Sequence, residues 1–91
     1  MLEVGSVVRS IAGHDKHRYY MIVGSEGLNA FIADGKMRKL ENPKRKNVKH
    51  LRKTNKVIEL DEITSNKALN RILEPMNQAL LQGDTTQEEG F

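Results

Sequence analysis

The chain has no cysteine and no tryptophan, and only 4% of its residues are aromatic. Without cysteine there can be no disulfide, no thiolate metal site and no thiol nucleophile, and the composition fits a reducing cytoplasm. Two Tyr and two Phe are too few to line an aromatic groove for proline-rich peptides. No apolar run approaches the roughly eighteen residues of a membrane span, so no membrane partner is expected. The start, M-L-E-V-G, lacks the basic and apolar blocks of a secretory signal.

What is present is charge, unevenly placed. The 91 residues suit one small domain with a thin core. Residues 1–56 hold 13 Lys/Arg against 5 Asp/Glu, a net of +8, whereas residues 57–91 hold 2 against 7, a net of −5. The densest part is residues 36–56, K-M-R-K-L-E-N-P-K-R-K-N-V-K-H-L-R-K-T-N-K, with ten basic residues and the single acid Glu41. Like charge at this density repels itself unless a polyanion meets it. A basic domain followed by an acidic segment points to nucleic acid. The competing reading is a solvated basic run.

The first half reads as short strands. Residues 2–12 are β-branched without a helical period, and Gly5 marks a bulge or bend. Residues 13–18, G-H-D-K-H-R, read as a loop, and residues 19–23, Y-Y-M-I-V, as the clearest strand. Residues 24–27, G-S-E-G, are expected to turn into a third strand at 28–33. Asp34-Gly35 is a hairpin signal leading to a fourth strand at 36–40, ended by Asn42-Pro43. On that strand Lys36 and Arg38 would share a face and Lys39 the other. Residues 48–51 suggest a short fifth strand. Four or five strands with tight turns imply a mainly β fold, a small SH3-like barrel that closes to hide its edges, over residues 1–56.

Residues 57–83 follow as a linker and an amphipathic helix. Ser65 suits its N-cap, with Thr64 the competitor, and Leu69, Ile72, Leu73, Met76 and Leu80 fall on one face. That face either packs on the barrel or docks another protein. Pro75 should kink or restart the helix, at a cost of about 3 kcal/mol if mid-helix, and Gly83 should stop it. Residues 84–91, D-T-T-Q-E-E-G-F, have little to bury and are expected to form a mobile acidic tail.

V-G-S-V-V-R-S-I-A-G-H-D-K-H-R-Y-Y-M-I-V-G resembles the KOW motif. The continuation I-A-D-G-K-M-R-K-L-E-N-P-K-R-K-N-V-K-H-L is similar to the fourteen-e type large-subunit ribosomal proteins, and more closely to small bacterial KOW-domain RNA-binding proteins. The resemblance covers about residues 2–52. It implies an SH3-like barrel, ribosomal RNA of the large subunit as ligand and no catalysis; no cofactor is expected. Gly13 matches the motif's loop glycine and Lys16 its lysine. At His17 many members carry a second glycine, which takes φ > 0 freely while histidine does so at a cost, so the loop is expected to differ in shape.

The expected RNA contacts are Arg9, Lys16, His17, Arg18, Lys36, Arg38, Lys39, Lys44, Arg45, Lys46, Lys49, His50, Arg52 and Lys53. Lysine and arginine neutralise phosphates and release counterions. Lys44-Arg45-Lys46, after Pro43, should form a loop carrying most of that contact. Val48 and Leu51 are expected inward, with Lys49 and His50 toward RNA. One of Tyr19 and Tyr20 should be core and the other free to pack or to stack on a base; Phe31 reads as core. His14, Asp15 and His17 are too few for zinc without cysteine, and a His14–His17 acid–base pair is the weaker reading of those histidines. The alternative function is a protein-interaction adaptor using the barrel and the C-terminal helix. An enzyme ranks last, because no nucleophile–base pair, metal set or phosphate loop is evident.

Overall fold

The computed structural model describes residues 3–81, with side chains through residue 79. Five strands form one antiparallel sheet: β1 (Ser6–Ser10), β2 (Tyr19–Glu26), β3 (Asn29–Ala33), β4 (Lys44–Asn47) and β5 (Leu51–Val57). They are ordered β4-β3-β2-β1-β5. A helix, α1 (Asn66–Leu81), follows. The fold is therefore mainly β with a C-terminal helix, as the strand pattern implies.

The sheet is curled. β4 and β5 are its two edges, yet only a 3-10 turn, Val48–His50, separates them. Five flat strands would hold their edges about 19 Å apart, while four residue steps span at most about 14 Å. The turn is tied to both sides: Val48 N–H donates to Leu28 O at 2.9 Å and Ile11 N–H to His50 O at 2.9 Å. The expected strand at 48–51 is thus a 3-10 turn that starts a longer strand.

Two other turns differ from expectation. Residues 24–26 belong to β2, with a register shift between Ile22 and Gly24, and the hairpin turns on Gly27-Leu28. Residues 36–40 form no strand. The fully buried Asp34 carboxylate accepts the main-chain N–H groups of Lys36 and Arg38, both at 2.9 Å. The N–H groups of Asp34 and Gly35 in turn donate to Arg38 O. A segment whose polar groups are satisfied locally has no need of a ladder. β3 pairs instead with β4, from Asn29↔Asn47 to Ile32↔Lys44.

Both sheet faces are covered. Val8, Tyr20, Ile22, Ala30, Ile32 and Leu51 fill the inside of the curl, with Val48 packed against them. Val7, Tyr19, Met21, Ala33 and Ile58 lie under the helix with Leu69 and Leu73. Tyr19 and Tyr20 do face opposite sides, but each is only 2% exposed, so neither presents a ring for stacking. Phe31, expected in the core, is only half-buried.

The helix is capped at Ser65, whose Oγ accepts Ala68 N–H at 3.1 Å. Leu69 and Leu73 are fully buried, worth about 1.5–3 kcal/mol each, and Ile72 and Met76 pack beside them. The apolar stripe is therefore spent on this domain. The helix continues through Pro75, which is exposed, as is Arg71, whose carbonyl loses its partner there. Asn66 binds the 35–41 segment: its Oδ1 accepts Leu40 N–H at 2.6 Å and its Nδ2 donates to Glu41 at 2.8 Å. Gly35, at φ 81, presses against Asn66 O. Residues 57–81 thus complete the domain. The Leu80 side chain, the stop at Gly83 and the tail at 84–91 lie outside the described residues.

Candidate nucleic-acid interface

The basic stretch does not reach the surface as one block. Residues 44–47, expected as a loop, form edge strand β4, in which Lys44 and Lys46 alternate with Arg45. Lys46 is 7% exposed; its Nζ donates to the Asp15 carboxylate and to Ala12 O. Lys44 Nζ reaches the other Asp15 oxygen at 2.9 Å, and Ser10 Oγ donates to that carboxylate at 2.8 Å. Of the triplet, only Arg45 is exposed. The reason is local electrostatics: a carboxylate withdrawn from water must be paired, and β4 lies within reach. Burial pushes the Asp15 carboxyl up, but the bonds from Lys46, Lys44 and Ser10 outweigh it and hold the group at about 2.

Arg9 is also inside, 3% exposed on β1. Its Nη1 lies 3.2 Å from His17 Nδ1. Arginine only donates, so Nδ1 accepts and the imidazole carries its proton on Nε2. His17 holds φ 80, the left-handed conformation a glycine would take. A non-glycine residue holds this conformation here, with Arg9 bonded to the imidazole.

Arg18 is half-buried and donates from Nη2 to Asp34 at 3.3 Å. Lys36 is exposed, 3.8 Å from Glu74. Arg38 is half-buried and Lys39 exposed, both in the turn rather than on a strand, so strand parity does not sort them. Lys16, Lys49, Arg52 and Lys53 are exposed and His50 half-buried. Lys56, not among the expected contacts, is exposed on β5 as well. Arg52 pairs across the sheet with Arg9, and Arg9 with Tyr19, so the β5 cations adjoin the 13–18 loop through the Arg9–His17 bond.

The 13–18 loop, the 34–40 turn and β4 together enclose a cleft of about 270 Å³. Arg18, Arg38 and Lys44 line it, with Tyr20 at its base and Met37, 67% exposed, at its rim. Burial, then the charges of Asp15 and Asp34, push the Tyr20 phenol up to about 12, so it stays protonated at neutral pH. The linear pattern gives Met37 no role, offers Tyr20 only as core or as a stacking ring, and marks Asp34 as a hairpin residue. Nothing in a linear pattern signals that three separated segments meet.

Elsewhere Glu41 is held below the ordinary carboxylate value by its bond from Asn66, and Glu74 by its bond from Gln78. Among the described residues no three His, Asp or Glu side chains are grouped to hold a metal ion, and no helix is long and apolar enough to cross a membrane.

Fold and surface together define a class: a small curled β domain, covered on one face by its own helix and carrying exposed cations on both edge strands. No family model and no curated protein matches the chain.

Proposed function

We propose that this chain is a non-catalytic RNA-binding protein acting in the cytoplasm, with ribosomal RNA of the large subunit as its partner. The ribosomal assignment comes from the KOW resemblance of residues 2–52. The observation that carries RNA binding is which cations remain without acids. Among the described residues Lys16, Lys39, Arg45, Lys49, Lys53 and Lys56 have no carboxylate within ion-pair distance. With Arg38, which likewise has no carboxylate partner among the described residues, these charges on a domain with a radius of gyration of 12.2 Å make a strong field for a polyanion. The test is binding to large-subunit RNA over a salt series, with sedimentation of cell extract probed for this protein. Steep loss with salt and co-migration with the large subunit support the reading; no binding at low salt refutes it.

A protein contact is favoured by one separate observation. Val4, Val57 and Leu60 are 41%, 54% and 51% exposed and line a shallow groove with Glu59 and Asp61. This apolar, acid-rimmed patch, and not the helix stripe, is where an adaptor role would lie. Loss of RNA-free protein partners on changing Leu60→Ser would support it.

A further inference from the structure

The cleft between the 13–18 loop and the 34–40 turn differs in kind from the exposed lysines. Its one lining carboxylate, Asp15, and Asp34, which is bonded to the lining Arg18, are both already used. Asp34 is fully buried and takes the N–H groups of Lys36 and Arg38 and one guanidinium nitrogen of Arg18. Asp15 is 7% exposed and takes Lys46, Lys44 and Ser10. Against these two acids stand Arg18, Arg38, Lys44 and the buried Lys46, which leaves two positive charges.

Donors remain unused on the cleft side. Lysine carries three N–H groups and arginine five. Lys44 gives one to Asp15, and Arg18 gives one from Nη2 to Asp34; Nε of Arg18 is sealed from solvent and does not count among the spare donors. Among the described residues nothing pairs with the Arg38 guanidinium. Cations with spare donors around a concavity are the chemistry that binds a phosphate oxyanion.

We infer that this cleft is a discrete phosphate-binding site, with Arg38 and Lys44 as the principal donors and Arg18 held in place by Asp34. The inference rests on the RNA reading only for the source of the phosphate. A free nucleotide, a strand end and an internal phosphodiester offer the same oxyanion. The Met37 thioether and His14, both lining the cleft, give a base or sugar attached to that phosphate something to lie against.

The test is NMR of the full chain, following the side-chain Nε–H signals of arginine. Three probes are titrated: AMP, a short single-stranded RNA bearing a 5′-phosphate, and the same RNA with a 5′-hydroxyl. The Arg18 and Arg38 signals are expected to move with at least one probe. Arg38→Gln and Lys44→Gln should each weaken that response about tenfold, as loss of one charged hydrogen bond does, while Arg45→Gln should leave it in place. Response to AMP identifies a nucleotide site, preference for the 5′-phosphate a strand-end site, and equal response to both RNAs an internal phosphate site; each supports the inference. If lysine and β5 signals respond to RNA while Arg18 and Arg38 stay still with all three probes, the cleft is not a site although RNA binding stands. If AMP alone moves Arg18 and Arg38 and neither RNA binds, the cleft stands and the RNA reading fails. If nothing responds, both fail.

Discussion

Lys46 donates from Nζ to the carboxylate of Asp15, 31 positions earlier in the chain, and both side chains are withdrawn from water. The bond joins edge strand β4 to the 13–18 loop and so fixes one wall of the cleft. Removing one partner of a buried pair leaves the other charge uncompensated, at about 3–5 kcal/mol. Asp15→Asn is therefore expected to lower unfolding stability by that order in urea titration. Asp15→Asn with Lys46→Met should recover most of the loss, since the unpaired charge is gone.

The same carboxylate sets an acid limit. Its pKa falls from 3.8 to about 2 on folding. A depressed carboxyl contributes stability that is complete above the unfolded value and is lost as pH falls through the folded one. The contribution is about 2 kcal/mol. Urea midpoints of the natural chain measured from pH 5 to pH 2 should drop more steeply below pH 3.8 than those of the Asp15→Asn/Lys46→Met protein. Parallel curves would show that Asp15 is not the linked group.

Asn77 is 3% exposed on a helix face otherwise occupied by Leu69, Leu73 and Met76. It accepts Tyr19 N–H at 2.8 Å and donates to Tyr19 O at 3.4 Å. β3 pairs with β2 only from Met21 onward, and Asn77 takes up the main chain beyond that point. Asn77→Leu should therefore destabilise by about 2 kcal/mol despite its greater hydrophobicity, because buried peptide groups lose their partner. Amide exchange at Tyr19 should accelerate in that variant. Unchanged or raised stability would mean the helix packs there by apolar contact alone.

Gly27 and Gly35 both hold positive φ, 60 and 81. A Cβ at Gly27 would meet nothing within 4 Å, whereas at Gly35 it would collide with Asn66 O of the helix. Gly27→Ala should cost about 1 kcal/mol, the left-handed penalty alone. Gly35→Ala should cost clearly more, because the helix start must also move away from the turn. Thermal melts of the two variants side by side decide this, and equal losses would mean the turn and helix shift freely.

The paired and unpaired cations should separate in RNA binding. Arg45→Gln and Lys53→Gln are each expected to reduce the slope of log affinity against log salt by about 0.7 to 0.9, one phosphate contact apiece. Lys46→Gln should leave the slope unchanged while lowering stability. If Lys46→Gln flattens the slope as much as Arg45→Gln does, the Asp15 pairing gives way in the complex.

Much of the fold was legible in local pattern. The β-branched runs mark β1, β2 and β3, and the spacing of Leu69, Ile72, Leu73 and Met76 marks the helix and its buried face. The misread parts have local causes too. Asp34-Gly35 signals a turn correctly, but the buried carboxylate closes it on itself instead of starting a hairpin. Lys44-Arg45-Lys46 looks like a loop after a proline, because three basic residues in a row show no polar–apolar alternation; the alternate burial that marks the strand comes from Asp15 drawing Lys44 and Lys46 inward.

Composition and short-range pattern suffice for the charge division, the lack of cysteine, the lack of an apolar run long enough for a membrane-spanning helix, and the number and type of most elements. These follow from composition and from periodicities of a few residues. Tertiary structure alone decided which basic residues face water. Lys46 is inside because Asp15 lies opposite it across the curl, and Arg9 because β1 is central, flanked by β2 and β5. Charge is a property of a residue, but its availability depends on whether folding brings a carboxylate within a few ångströms, which no adjacent residue reveals.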